Sequence, residues 1–173
     1  MGTNNKNIVI TSAVRTAIGT FRGSLKDMQA KDLGALVTKA AMQKSNLDSN
    51  DIDELIMGQV LTGAAGQNPA RQAAIQAGIS IEKTAYVINQ VCGSGLRSVA
   101  AGYQAIMSND SKIIIAGGQE SMTNAPHAIY LRNGKKFDES NLIDTMVKDG
   151  LWDAFNGYHM GVTAENVATK WQI

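Results

Sequence analysis

The chain has 173 residues, of which 44% are hydrophobic and 18% are charged. This composition excludes a disordered protein and allows one hydrophobic core of ordinary size. Sixteen basic and fifteen acidic residues leave a formal net charge of +1, which predicts no broad electrostatic attraction to nucleic acid or to an anionic membrane. Any anionic ligand must therefore be bound by local groups.

Residues that bind metals or form disulfides are scarce, with one Cys and two His. A single cysteine cannot form an internal disulfide, and these three side chains cannot supply the four ligands of a usual zinc site. We therefore expect no structural metal and a reducing, cytoplasmic location. No apolar run approaches the roughly 20 residues of a spanning helix, and no signal peptide is visible, so no membrane association is predicted.

In chain order, four short apolar runs alternate with longer helical patterns, the rhythm of βαβ units that build a mainly parallel sheet. Pro69 in a first helical turn and Gly78 after a last one mark the two ends of one helix. The pattern predicts an α/β fold of βαβαβαβ order. The predicted strands are residues 8–14, 55–60, 85–89 and 112–116, and the predicted helices are 30–44, 69–77 and 93–107.

The helix predicted at 93–107 differs from the other two. Apolar residues surround it on nearly all sides, and Arg97 is its only charged residue. A helix with this pattern is typically buried between layers, whereas one with a polar face lies at the surface. We therefore expect the third helix to be buried.

The βαβ rhythm ends after Ser121. Helical spacing returns at residues 162–173, after a stretch of polar and irregular sequence. We predict an α/β domain at 1–121 and the beginning of a separate insertion at 122–173, so that the chain is one part of a larger protein.

A hairpin turn is predicted at Asn133-Gly134 within this insertion. Three cations surround the turn, Arg132, Lys135 and Lys136. They fit a solvated loop tip better than a phosphate site, because turns of this kind normally lie at the surface.

Cys92 is the candidate nucleophile. It lies where a β-rich run joins a helix that starts with glycine, and the positive end of such a helix stabilises a thiolate. The N–H groups there can also receive the oxyanion that forms when the sulfur attacks a carbonyl. Gly93 and Gly95 leave the approach clear. By position alone, a buried cysteine that acts as a small hydrophobe remains the alternative.

Five segments around and beyond Cys92 form a recognisable series. They are SAVRTAIG at 12–19, GQNPARQ at 66–72, NQVCGSGLR at 89–97, IAGGQESM at 115–122, and DGLWDAF followed by YHMG within 149–161. Together these segments resemble the N-terminal part of the thiolase family, specifically its biosynthetic, short-chain acetyl-CoA acetyltransferase type. The resemblance extends over the whole chain from Ile8.

The resemblance implies a thiolase-like fold and a ping-pong reaction. The family has two similar α/β domains stacked in five layers, with a loop domain inserted in the first, whose last strand follows that insertion. In the implied reaction Cys92 attacks acetyl-CoA, forms an acetyl thioester and passes the acetyl group to the enolate of a second acetyl-CoA, giving acetoacetyl-CoA. No metal or prosthetic group is implied, and family members assemble as homodimers or homotetramers.

Three further residues match positions that shape the acyl and pantetheine pocket in the family, namely Leu151, His159 and Met160. The resemblance implies that they contact a short-chain substrate. From the sequence alone, a loop histidine and a methionine that fills a packing gap are equally reasonable.

Two catalytic residues of the family have no match in the chain. The family activates its nucleophile with a histidine in Gly-His-Pro and moves the substrate proton with a cysteine in Cys-Gly-Gly, both in the second domain. Here the only cysteine is Cys92, while His127 and His159 lie in other contexts. Because loss of catalytic partners costs several powers of ten in rate, we expect the chain alone to be inactive. Without the second domain we also expect one face of the third helix to be exposed, which favours an oligomer or poor solubility.

Three alternatives are kept. A ketoacyl synthase shares the fold but has Thr-Ala-Cys-Ser-Ser around its cysteine, unlike Val91 to Gly95. A non-catalytic fragment that only assembles with other thiolase chains would also fit the missing residues. A dinucleotide-binding fold fits poorly, because Ser98 occupies the place of the last glycine in Gly-x-Gly-x-x-Gly.

Overall fold

The computed structural model describes residues 7–132, 134 and 136–173. Its internal contacts divide the chain into two compact units, one extending up to Asn124 and the other spanning Ala125–Ile173. Asn133 and Lys135, at the predicted hairpin turn, lie outside the described residues. The domain boundary predicted after Ser121 stays a prediction.

The first unit contains a parallel sheet with strand order β2-β1-β3. All three strands and all three helices lie within about two residues of their predicted bounds, a normal margin for helix and strand ends. The predicted βαβ alternation is thus confirmed from residue 30 onwards. The helices are α1 (Ala30–Ser45), α2 (Pro69–Ala77) and α3 (Ser94–Ser108), and the strands are β1 (Glu54–Gly58), β2 (Thr84–Ile88) and β3 (Ile114–Gly118).

The core of this unit forms around the central strand β1. Leu55, Ile56 and Met57 are almost completely buried, as expected for a parallel strand with both faces covered. Helix α2 packs a face of small residues against the core, comprising Ala70, Ala73, Ala74 and Ala77.

The ends of α2 follow the pattern predicted from its proline and glycine. The Asn68 side chain accepts a hydrogen bond from the Arg71 N–H at 3.1 Å, and Pro69 occupies the first turn. Gly78 ends the helix with a φ of +94°, a conformation that glycine adopts without strain. The Arg71 guanidinium donates to the carbonyls of Ile81 and Lys83, so Arg71 supports the structure of the loop before β2.

The strand predicted at 8–14 is wrong, because this segment forms no strand ladder with any described residue. Instead, side-chain hydrogen bonds hold it along α1: Ser12 Oγ donates to the Ala41 carbonyl and Lys44 Nζ to the Ala13 carbonyl, both at 3.1 Å. A cavity of about 320 Å³ has residues 8–12 on one wall and 113–116, along β3, on another. An apolar run becomes a strand only beside a hydrogen-bonding neighbour, and this cavity separates it from β3.

Helix α3 is buried on one face only. Small residues Ser94, Ser98 and Gly102, spaced four apart, form its buried face. Leu96 is 78% exposed, and Tyr103 and Met107 are also exposed. The apolar pattern alone predicted burial on all sides, and this is corrected, whereas the exposed face agrees with the expectation for a chain without the second domain. The exposed apolar side chains favour association with another surface.

The second unit has short elements. Strands β4 (His127–Ala128) and β5 (Ile143–Asp144) pair antiparallel, a 3₁₀ turn spans Glu139–Asn141, a π-helix spans Met146–Leu151, and helix α4 spans Met160–Trp171. The predicted final helix is confirmed, although Gln172 in the left-handed conformation ends it, where no cap was predicted. None of the helices described is both long and apolar enough to cross a membrane.

Candidate active site

Cys92 lies in the short connection between β2, which ends at Ile88, and α3, which begins at Ser94. In parallel α/β sheets, ligand sites form beyond the carboxyl ends of strands such as β2. The thiol is exposed. The alternative of a cysteine buried as a small hydrophobe is therefore wrong in this structure.

Two overlapping turns shape the Cys92 connection. The Gly93 N–H donates to the Gln90 carbonyl and the Ser94 N–H to the Val91 carbonyl, both at 3.1 Å. The Ser94 hydroxyl then donates to the Val91 carbonyl at 2.5 Å and accepts from the Gln90 N–H at 2.8 Å. Because Ser94 is the first residue of α3, its side chain ties the cysteine turn to the helix.

Val91, immediately before Cys92, has a φ of +48°. A β-branched residue rarely adopts this left-handed conformation, which costs roughly 1–2 kcal/mol. Strain of this kind persists only where surrounding contacts impose it, and it concentrates at functional sites. The strained turn reverses the chain direction between β2 and α3 and leaves the thiol at the surface.

The amino end of α3 can stabilise negative charge next to Cys92. The first intrahelical bond runs from the Arg97 N–H to the Gly93 carbonyl at 2.9 Å, so the N–H groups of Gly95 and Leu96 precede it. No side chain in the described part of the chain caps this helix end. A nucleophilic sulfur in the turn that leads into a helix end of this kind suits attack on a thioester or ester carbonyl.

The other three predicted site residues belong to the second unit, where a short hairpin brings them together. Leu151 ends the π-helix, and the following Trp152 pairs with His159 in an isolated antiparallel bridge. His159 Nδ1 accepts the Gly161 N–H at 3.0 Å and so caps α4, whose first residue is Met160. His159 and Met160 are exposed, and Leu151 is partly buried.

Sequence reasoning missed a buried polar cluster at the carboxyl ends of β1 and β3. Gln119 Nε2 donates to Gln59 Oε1 at 2.8 Å, and Gln59 Nε2 donates to the Leu61 carbonyl at 2.8 Å. Gln119 Oε1 is buried and has no hydrogen-bond partner among the described residues. Gln119 and Glu120 follow β3 directly and lie inside the matched segment 115–122, so these two polar residues could have indicated the cluster from the sequence.

Glu120 belongs to the same region and supports the loop after β1. Its carboxylate accepts the Val60 N–H at 2.8 Å and the Leu61 N–H at 3.2 Å. Burial raises the pKa of Glu120 above its ordinary value, and the two N–H donors oppose that rise. The folded chain therefore binds the Glu120 proton more tightly than the unfolded chain does.

This raised pKa predicts how Glu120 contributes to stability. As pH rises from about 4.3 through the higher folded pKa, the unfolded chain releases the proton first, so the contribution falls. Urea unfolding at a series of pH values, compared between the unchanged chain and Glu120→Gln, measures it. The unfolding free energy of the unchanged chain minus that of the variant should decrease towards neutral pH. An increase would contradict the assignment.

No group of three or more His, Cys, Asp or Glu side chains that could hold a metal ion occurs in the part of the chain that the structure describes.

The amino-acid sequence matches the model of a known protein family. The family model described as thiolase, N-terminal domain, matches residues 8–173. The chain therefore belongs to the thiolase family, and the predicted membership, thiolase-like α/β fold and N-terminal position are confirmed.

Curated relatives agree with this assignment. The chain is 56% identical over 165 residues to a protein named acetyl-CoA acetyltransferase from Paracoccus denitrificans, covering 95% of this chain and 42% of that protein. A protein of the same name from Rhizobium meliloti (strain 1021) is 55% identical over 170 residues, covering 98% and 43%. A probable acetyl-CoA acetyltransferase from Escherichia coli (strain K12) is 50% identical over 169 residues, covering 97% and 43%. The chain thus spans less than half the length of these relatives.

Proposed function

We propose that these residues supply the acyl-accepting part of an acetyl-CoA C-acetyltransferase. The Cys92 sulfur attacks the thioester carbonyl of acetyl-CoA, the N–H groups near the start of α3 stabilise the oxyanion, and the CoA thiolate leaves and takes up a proton. The product is an acetyl thioester on Cys92. The observation that carries this proposal is the exposed cysteine in a strained turn at the amino end of α3.

The second step of the proposed reaction is a Claisen condensation. The acetyl group passes from Cys92 to the enolate of a second acetyl-CoA, which forms the new carbon–carbon bond of acetoacetyl-CoA and frees the thiol. Thiolysis is the reverse reaction. No metal or prosthetic group takes part in these steps, because the CoA thioester itself activates the acyl carbon.

Leu151, His159 and Met160 are proposed to line the acyl and pantetheine part of the pocket. Support comes from their grouping on one hairpin, where His159 and Met160 are exposed. Thioether and imidazole side chains suit the mixed apolar and polar surface of pantetheine. A homodimer or homotetramer is the proposed assembled form, supported by the exposed apolar residues of α3. A cytoplasmic location is proposed because a single cysteine suits a reducing compartment.

Acetylation of Cys92 by acetyl-CoA tests the first step directly. The folded chain and the same chain unfolded in urea are each incubated with acetyl-CoA, and the acetylated residue is located by peptide mass spectrometry. We expect acetylation at Cys92 to be at least about tenfold faster in the folded chain, because oxyanion donors act only there. The Cys92→Ser variant measures labelling at other residues. An equal rate in both states, or labelling elsewhere, would overturn the proposal.

A further inference from the structure

The first turn of α3 rests directly on the carboxyl end of β1. A Cβ atom on Gly58, the last residue of β1, would lie 2.6 Å from both the Gly95 nitrogen and the Ser94 oxygen. Both are backbone atoms of α3, which cannot rotate away as a flexible side chain can. Only glycine at position 58 therefore lets the helix start where it does.

Ser98 ties the same turn to β3. Its side chain is completely buried, and its hydroxyl lies 2.6 Å from the Gly95 carbonyl and 2.7 Å from the Gly117 carbonyl. A buried hydroxyl bridging a helix carbonyl and a strand carbonyl restricts movement between the two elements. Gly58 and Ser98 thus fix α3 against the ends of β1 and β3. These two residues together are called the helix seat.

The helix seat also acts on the cysteine turn through Ser94, which contacts Gly58 and is hydrogen-bonded within the turn. Its backbone contacts Gly58, and its hydroxyl donates to the carbonyl of Val91, the residue before Cys92. A displacement of the first turn would therefore move the N–H groups of Gly95 and Leu96 relative to the Cys92 sulfur.

We propose that Gly58 and Ser98 are positioning residues for acyl transfer at Cys92. They touch no reacting atom and act through the first turn of α3, where the proposed oxyanion donors lie. A displacement of about 1 Å at such a site can slow a reaction about a hundredfold. The inference deepens the proposed function and rests on it, because it assigns residues that place the donors of that same reaction.

Three variants of the 173-residue chain test the helix seat. Gly58→Ala adds the colliding Cβ, and Ser98→Ala removes the hydroxyl without adding bulk. Ser108→Ala is the matched control, since it removes a hydroxyl from the exposed far end of the same helix, where it bonds the Ala105 carbonyl and Asp110. Acetylation of Cys92 is measured with acetyl-CoA and with p-nitrophenyl acetate, which has no CoA moiety. Alkylation by iodoacetamide forms no oxyanion, and it is measured at about pH 10.5, roughly two units above the ordinary thiol pKa, so that it reports access to the thiol rather than stabilisation of the thiolate.

We expect Gly58→Ala to slow acetylation by both donors at least about tenfold, and Ser98→Ala about threefold or more. Acetylation of Ser108→Ala should stay within about twofold of the unchanged chain, and alkylation should stay within about twofold in all variants that fold. A parallel fall in acetylation and alkylation would overturn the inference, since it would indicate lost access to the thiol or unfolding rather than misplaced donors.

Two further outcomes separate the helix seat from the proposed function. If folding accelerates acetylation by p-nitrophenyl acetate but not by acetyl-CoA, the proposed function is wrong. The rate at which p-nitrophenyl acetate acetylates the Gly58→Ala variant then still tests the helix seat. If folding accelerates neither reaction, no oxyanion donors act in the folded chain, and both the proposed function and the inference about Gly58 and Ser98 are wrong. Should Gly58→Ala not fold, as judged by circular dichroism, Ser98→Ala decides, and acetylation at the unchanged rate would overturn the inference.

Discussion

The 173-residue chain by itself is expected to thiolyse acetoacetyl-CoA at least about a thousandfold more slowly than an intact acetyl-CoA acetyltransferase. The proposed reaction needs a base for the Cys92 thiol and a second group that moves the substrate proton. Residues 1–124 contain no histidine, and Cys92 is the only cysteine. His127 lies 4.0 Å from Asp144 on the paired β4 and β5 strands, and His159 Nδ1 caps α4.

Loss of acetoacetyl-CoA in the presence of free CoA, followed by absorbance, measures this turnover. The acetyl-CoA acetyltransferase from Paracoccus denitrificans, 56% identical over the matched region, is the positive control. Cys92→Ser gives the background rate. Turnover by the chain within about tenfold of the positive control would contradict the expectation and would require a base within these 173 residues.

Leu55→Ala is expected to lower the free energy of unfolding by about 3 kcal/mol, within the 2–5 kcal/mol found for buried leucines. Leu55 lies in the central strand β1 and is completely buried in the core cluster. Truncation removes apolar contacts and leaves a cavity that a strand paired on both sides cannot easily close, because β2 and β3 hold β1 in register.

Urea unfolding followed by circular dichroism measures the loss. Leu36→Ala is the matched control, because Leu36 is 52% exposed on α1 and its truncation should cost less than about 1 kcal/mol. Equal losses at the two positions would show that β1 is not the centre of the folded core.

Short-range patterns were sufficient for most elements of the first unit. Pro69 and Gly78 bound α2 because a proline ring suits a first helical turn and glycine adopts the left-handed conformation that ends a helix. The strands in the sheet were visible as short apolar runs, because a parallel strand is covered on both faces. The matched segments around Cys92 were sufficient for the family, which the comparisons confirm.

Short-range sequence patterns could not predict features that depend on contacts with residues far away in the chain. Residues 8–14 have the composition of a strand, but no described strand lies beside them to complete a ladder. The apolar pattern of α3 by itself predicted burial on all sides, and only the family resemblance, with its missing second domain, indicated an exposed face, because exposure depends on what packs against the helix. The raised pKa of Glu120 likewise follows from burial beyond the end of β3.

The sequence by itself determined the alternation of helices and strands, the family and the candidate nucleophile, since these follow from local periodicity and contiguous motifs. Only the tertiary structure decided that Cys92 is exposed, that Val91 is strained and that Gly58 must lack a side chain. The physical reason is that close packing joins residues far apart in the chain: Gly58 and Ser94 meet because α3 starts against the end of β1, a contact that no local pattern encodes.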